Sequence, residues 1–307
     1  KIMETVVQQQ QKAQEIYREI WAEMAKENIF MLDETQLSHE QGVFVRKYFN
    51  TKVLPNIIPI MLSKSMKFPY LRDKSVYLAV KLSKIKSPEK FAYALIRVPT
   101  RSVSRFLVLP EQGNKKFVIL VDDVIRFCLN DVFPIFNYDH FEAYTIKVTR
   151  DAELDIDDDI SKSFMEKIEL SLKKRKIGIP VRLIHDRDIP ADLLGFIMKK
   201  MKLEGEEKTV AGGRYHNHKD FMNFPDIGKS RHYYQNLPPV PHKDLPPRQS
   251  ILKKLRKKDI LLHYPYQSFS HFIDLLREAA IDPKVREIGI TIYRVAETSK
   301  VVNALLN

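Results

Sequence analysis

The sequence predicts an α+β fold: a helical N-terminal tail, a mixed α+β middle, and at the end the first βαβ unit of an α/β domain. Three observations predict it. Residues 1–27 carry a helical apolar period. Strand-like and helical segments then mix without the strict alternation of a parallel sheet. Beyond a proline-dense stretch at 225–249, the pattern becomes strand, helix, strand.

In the first segment Val6, Ala13, Ile16, Tyr17, Ile20, Trp21 and Met24 fall on one helical face. A second helix is expected over 36–56, ending near Pro55. Strand-like runs follow at Tyr77–Leu82, Phe91–Val98, Arg105–Leu109 and Lys116–Leu120, with turn signals such as Ser87-Pro88 and Gln112-Gly113-Asn114 between some of them. Asp122-Asp123 opens a short helix through about Leu129. Ala143–Thr149 is a strand, 161–176 an amphipathic helix stopped at Gly178, Val181–His185 a strand, and Pro190–Met201 a helix. After the prolines come a short strand Asp259–Tyr264, a helix lined by Phe269, Phe272, Ile273, Leu275 and Leu276, a strand Glu287–Tyr293, and a helix beginning at Thr298. No internal repeat is present. Both ends read as internal to a longer chain, with Lys1 inside a helical pattern and Asn307 just after a helix start.

Of the 307 residues, 44% are hydrophobic and 29% charged, which is ordinary for a globular protein. No apolar run reaches the roughly 18 residues of a membrane span, and residues 1–4 have no signal-peptide core. A cytoplasmic location follows as an expectation, with a peripheral membrane position compatible with it. Cys128 is the only cysteine, so an intrachain disulfide is excluded, and its apolar neighbours predict a buried thiol. The net charge of +12 favours polyanionic partners: nucleic acid, an anionic membrane or phosphate chains.

Three motifs bear on chemistry. In the βαβ unit, ligands of open α/β sheets gather at the carboxyl ends of the strands. There the first strand delivers Tyr264, Tyr266 and Ser268, and the second delivers Arg294. Ser268 can cap the helix that follows, whose amides attract phosphate, and Arg294 offers a planar fork matched to phosphate oxygens. The structural alternative is that Tyr264 and Tyr266 pack and Arg294 pairs with Glu297. The second motif is Ala211 to Phe221. Gly212 and Gly213 beside Arg214 can form a phosphate nest, or simply a turn with solvated charges. His216, His218 and Asp220 lack the spacing of a strong metal-ligand set. The third is the alternation Asp155, Asp157, Asp159, with Glu166 at the last position of an EF-hand register. Ile160 occupies the place of the required glycine, so calcium binding is not expected.

Taken together, these residues resemble a family. Asp259-Ile260-Leu261-Leu262-His263-Tyr264-Pro265-Tyr266-Gln267-Ser268-Phe269, followed by Ile290-Thr291-Ile292-Tyr293-Arg294-Val295-Ala296, closely resembles the start of the first C-terminal domain of polyphosphate kinases. Gly212-Gly213-Arg214-Tyr215-His216-Asn217, with Lys219-Asp220-Phe221 and Asn223-Phe224-Pro225, resembles a second segment of that family, and Thr149-Arg150-Asp151-Ala152-Glu153 a third. The resemblance runs essentially from Lys1 to Asn307. It implies that 1–28 is the end of a helical N-terminal domain and 29–240 a head domain that helps make a homodimer or higher homo-oligomer. It implies that 241–307 is the start of a phospholipase-D-like catalytic domain.

The implied reaction is reversible transfer of the terminal phosphate of ATP to polyphosphate through a phosphohistidine, with magnesium. The family's phosphorylated histidine sits in a Lys-Ile-His-Ala-Lys context, and no histidine here has that setting. No catalytic residue is therefore assigned. Arg294 alone carries over cleanly, as the arginine of the magnesium–nucleotide site. It acts there through phosphate oxygens, because a guanidinium is a poor direct metal ligand. Tyr264, Tyr266, Ser268 and Arg214 are weaker candidates. The implied partners are ATP, ADP and inorganic polyphosphate. The competing readings are a basic nucleic-acid-binding module, for which the aromatics show no RNA-recognition signature, and a dimerisation module.

Overall fold

The computed structural model describes residues 2–73, 75–150, 180–203, 205, 208–246, 248–292, 294–296 and 298–306. The expected helix at 161–176, the aspartate alternation and the segment 151–153 lie outside these residues. The described chain forms two compact units, Lys1–Gly228 and Lys229–Asn307. No described helix is long and apolar enough to cross a membrane.

The first unit begins with helix α1 (Ile2–Lys26) and strand β1 (Ile29–Leu32). Helix α2 (His39–Tyr48) follows, started by a capping box in which the Ser38 hydroxyl accepts from the amide of Gln41 and the Gln41 side chain accepts from the amide of Ser38. A π-helical turn (Phe49–Val53) and a 3-10 turn (Leu54–Asn56) carry this helix on to Pro55. Then come β2 (Ile60–Leu62), β3 (Val76–Lys84), β4 (Ser87–Arg97), β5 (Phe106–Gln112) and β6 (Lys115–Leu120). Helices α3 (Val121–Phe127) and α4 (Leu129–Val132) precede β7 (His140–Arg150) and β8 (Pro180–Asp186). Helix α5 (Ala191–Met201) and β9 (Thr209–Gly212) complete the regular elements.

Two sheets result. The larger has the order β2-β4-β3-β7-β8-β9, antiparallel except for the parallel β8–β9 pair. The smaller is β1-β6-β5, with β1 parallel to β6. Alternation along the strands sets the layers. From β3, Val76, Leu78, Val80 and Leu82 enter the central core between the sheets, where Ile119 of β6 and Val124 and Ile125 of α3 meet them. Tyr77 and Ala79 face the opposite way, against Leu193 and Ile197 of α5. The smaller sheet has a second face too: Phe106, Val118 and Leu120 pack against Tyr215, Phe221, Phe224 and Ile227. Strands covered on both faces read as nearly continuous apolar runs, which is why β3, β4 and β6 are recognisable in sequence. Cys128 is buried in the central core, and burial pushes its thiol up to about 12.

Helix α1 differs from expectation in the face it uses. Tyr17, Trp21 and Met24 turn inward, but Ile16 and Ile20 are 44% and 50% exposed. The packed stripe runs instead through Val6, Gln10, Gln14, Tyr17 and Trp21, a 3.6-residue track that admits two glutamines. Tyr17 stacks on His218 at 5.4 Å, and Trp21 lies 5.7 Å from Phe224.

Among the described residues the second unit holds a 3-10 turn (Ser230–His232) and the α-helices α6 (Ile251–Leu255), α7 (Ser270–Ile281) and α8 (Lys300–Leu306). Ile273 and Leu276 of α7 pack with Val301 and Ala304 of α8. The expected strands at 259–264 and 287–293 form no ladder among the described residues. The physical reason is coverage. Parallel strands are stable when both faces are packed, and here Ile288, Ile292 and Val295 stay 38%, 46% and 43% exposed.

Candidate functional site

In the second unit, the segment before α7 is organised by the chain itself. Val240 donates to the carbonyl of Tyr266 at 2.9 Å, and Ser268 donates to the carbonyl of Val240 at 2.9 Å. The side-chain oxygen of Gln267 accepts from the amide of His263 at 2.7 Å, closing the turn that contains a cis Tyr264–Pro265 bond. Tyr264 packs edge-on against Phe269 at 4.9 Å, and Tyr266 is 68% exposed.

Ser268 does not cap α7 in the expected way. Its hydroxyl accepts from the amide of Ser270 at 3.3 Å and meets the Ser270 hydroxyl at 2.7 Å, while Phe269 holds the N-cap position with no side-chain bond. The serine sits one residue early, so it reaches the first helical amide and leaves the next ones for another partner. Ser268 and Ser270 line a cleft of about 580 Å³ between α7 and the proline-rich segment 239–246. Arg294 is exposed, and no ion pair holds it among the described residues. No described contact joins it to Tyr264, Tyr266 or Ser268, because the parallel pair that was expected to bring them together is not laddered.

In the first unit, Gly212 ends β9, and Gly213 and Arg214 follow it at a bend. A side-chain carbon on Gly212 would come within 3.1 Å of Ile184, and one on Gly213 within 2.8 Å of the Gln14 amide nitrogen. The Arg214 guanidinium turns inward to Glu34 and to Asp123, the latter at 3.1 Å. Asp123 also accepts from Arg126 at 2.7 Å and from the Tyr215 hydroxyl at 2.7 Å. Beside it, Arg105 makes a two-pronged bond to Asp122 at 2.8 and 3.2 Å and reaches Asp220 at 2.5 Å. Arg105, Asp122, Asp123 and Arg126 are all buried. Burial raises the pKa of Glu34, and Asp123 adds to the effect while Arg214 opposes it.

Sequence reasoning took Asp122-Asp123 as a helix start and missed this network. A signal was present: two adjacent carboxylates interrupt the apolar run from Phe117 to Ile125, and such residues are seldom buried without partners.

His216 donates from Nε2 to the carbonyl of Gly213 at 2.9 Å. Its pKa falls to about 4, first through burial and then through Lys147 and Arg105, so the imidazole is neutral near pH 7. His218 stacks on Tyr17. Among the described residues, no group of three or more His, Cys, Asp or Glu side chains is placed to hold a metal ion.

Comparison with known proteins follows the same two-part division. The polyphosphate kinase middle-domain family model matches residues 40–224, and the model of C-terminal domain 1 of that family matches 250–307. The chain is 42% identical over 299 residues to the polyphosphate kinase of Vibrio vulnificus strain YJ016, covering 95% of this chain and 42% of that one. It is 37% identical over 313 residues to the polyphosphate kinase of Escherichia coli strain K12, covering 100% of this chain and 45% of that one. The crystal structure of polyphosphate kinase from Porphyromonas gingivalis superposes with a TM-score of 0.74 at 30% identity, over 99% of this chain and 44% of that one. The chain therefore spans less than half the length of these relatives.

Proposed function

Because this chain belongs to the polyphosphate kinase family, we propose that it works as part of an enzyme that moves the terminal phosphate of ATP reversibly onto polyphosphate by way of a phosphohistidine. The observation that carries this reading is the ordered match of two successive family domains along the chain, with Arg294 inside the second. In this reading residues 1–28 end a helical N-terminal domain, 29–240 form a head domain that joins subunits of a homodimer or larger homo-oligomer, and 241–307 begin the catalytic domain. The enzyme works in the cytoplasm, either free or at a membrane surface.

Arg294 takes the phosphate-binding role. Its guanidinium is exposed, is held by no ion pair among the described residues, and presents a planar set of donors. Phosphoryl transfer is accelerated chiefly by positioning and by neutralising charge on the phosphate oxygens, and this residue can do both. Tyr264, Tyr266 and Ser268 supply secondary contacts from the segment before α7. Arg214 has two carboxylates as partners, so its contribution is to hold the bend that follows Gly212. At Arg294 magnesium is read as the ion carried by the nucleotide phosphates, because a guanidinium donates rather than coordinates.

The test is Arg294→Ala in the full-length protein, assayed for ATP-dependent polyphosphate synthesis. Loss of a charge-assisted contact of about 1.5–3 kcal/mol predicts a rate lower by about 10- to 100-fold with an unchanged melting temperature. Unchanged turnover would remove Arg294 from the site.

A further inference from the structure

A cleft in the first unit carries charge that the network described above does not use. It encloses about 260 Å³ where β3 begins and β4 ends, bounded by the turn at 98–102 and by residues 217–220. Arg72, Arg97, Arg101 and Lys219 line it, and all four residues are exposed. Among the described residues none of these four is held in an ion pair. Two carboxylates also line the cleft, but each has another partner. Asp220 accepts from Arg105 at 2.5 Å, and Asp73 accepts from the amide of Arg150 at 3.3 Å.

The walls are fixed by the backbone. Val98 donates to Val76 at 3.0 Å, Thr100 to Val98 at 2.9 Å, and Val103 to Pro99 at 3.0 Å. This holds Arg97 and Arg101 on one short, tied segment, so their convergence does not depend on a loose loop. Four cations outnumber the Asp73 carboxylate and the Arg105-bound Asp220 in one small concavity, and a multivalent anion relieves the repulsion among them. Ser75 and Ser102 add hydroxyl donors to the same space. An apolar recess of about 320 Å³ adjoins the cleft, shares Arg72 and Arg97 with it, and is walled by Ile58, Ile60, Tyr77 and Leu95.

We propose that this cleft binds an oligophosphate anion, held by Arg97 and Arg101 as guanidinium forks with Arg72 and Lys219 as supporting charges. The choice of a phosphate chain over other polyanions rests on the phosphotransfer reading given above. The recess would receive the base if the phosphate chain belongs to a nucleotide.

The experiment is calorimetric titration of the 307-residue chain with sodium tripolyphosphate. Binding at one site is expected, weakening as salt is raised. Arg97→Ala and Arg101→Ala should each weaken it about tenfold or more, and both side chains are exposed, so the fold should survive, as a thermal melt will show. Titration with ATP separates the two sources of the anion. Tighter binding than tripolyphosphate engages the recess, and equal or weaker binding assigns the site to the phosphate chain alone. Full affinity in the Arg97→Ala and Arg101→Ala variants overturns the inference, as does equal competition by sulfate at matched ionic strength. If instead Arg294→Ala abolishes binding and the other two do not, the anion belongs to the second unit. In that case this inference fails while the proposed function stands.

Discussion

Asp123 answers to three donors at once, one local in sequence and two distant. Arg126 lies one helical turn away, whereas Arg214 and the Tyr215 hydroxyl arrive from about ninety residues further on. A buried carboxylate in such a cluster is weak evidence of net stabilisation, but removing one partner leaves the others uncompensated. Asp123→Asn should therefore cost about 3–5 kcal/mol, read as a lower urea midpoint. His216 sets a pH dependence of definite sign. Its folded pKa of about 4 lies below the ordinary 6.5, so the unfolded chain takes up the extra proton first. Stability is full above about pH 6.5 and is lost as pH falls toward 4, by up to roughly 3 kcal/mol. Unfolding followed between pH 7 and pH 4 should show this acid limb, and His216→Gln should flatten it. The Asp123 role left a trace in sequence, as carboxylates inside an apolar run, whereas the His216 role did not, because burial is set by folding and not by spacing.

Elements were legible where local pattern and final burial agree. The runs that became β3, β4 and β6 are apolar on both faces and stand out, and the capped α2 begins within a few residues of its expected start. Strands β1, β2 and β9 were missed, being only three or four residues long and defined by their neighbours. The opposite error occurred at 259–264 and 287–293. These have strand composition but join no ladder among the described residues, so Tyr264, Tyr266, Ser268 and Arg294, which the sequence suggested as one site, are not brought to a common sheet edge. Helix α1 lies between these cases, since its helicity was plain and its contact face was not. Trp21 rests on Phe221 and Phe224 at 6.0 and 5.7 Å. As a half-buried aromatic, its truncation to Ala should cost about 2–3 kcal/mol, somewhat less than a fully buried ring. Amide exchange should report it as faster exchange in α1 while β3 remains protected.

At the scale of the molecule, the two units differ in what supports them. Lys1–Gly228 has two sheets and a central core rich in Leu, Ile, Val and Phe. Lys229–Asn307 relies on a small cluster around Ile273, Leu276, Val301 and Ala304. Burial scales with size, so calorimetry of the chain should resolve two transitions, with the second unit melting first. Leu276→Ala should lower only that earlier transition. The pairing of β1 with β6 adds a consequence in time. Ile29 lies opposite Lys116, so nearly ninety residues must be made before the first strand meets its neighbour. At ~5–20 residues per second, synthesis leaves β1 and the aromatic side of α1 waiting on the order of 5–20 s outside the ribosome. Within the first unit, β1 and the aromatic side of α1 are thus open during synthesis to a chaperone that reads exposed apolar segments.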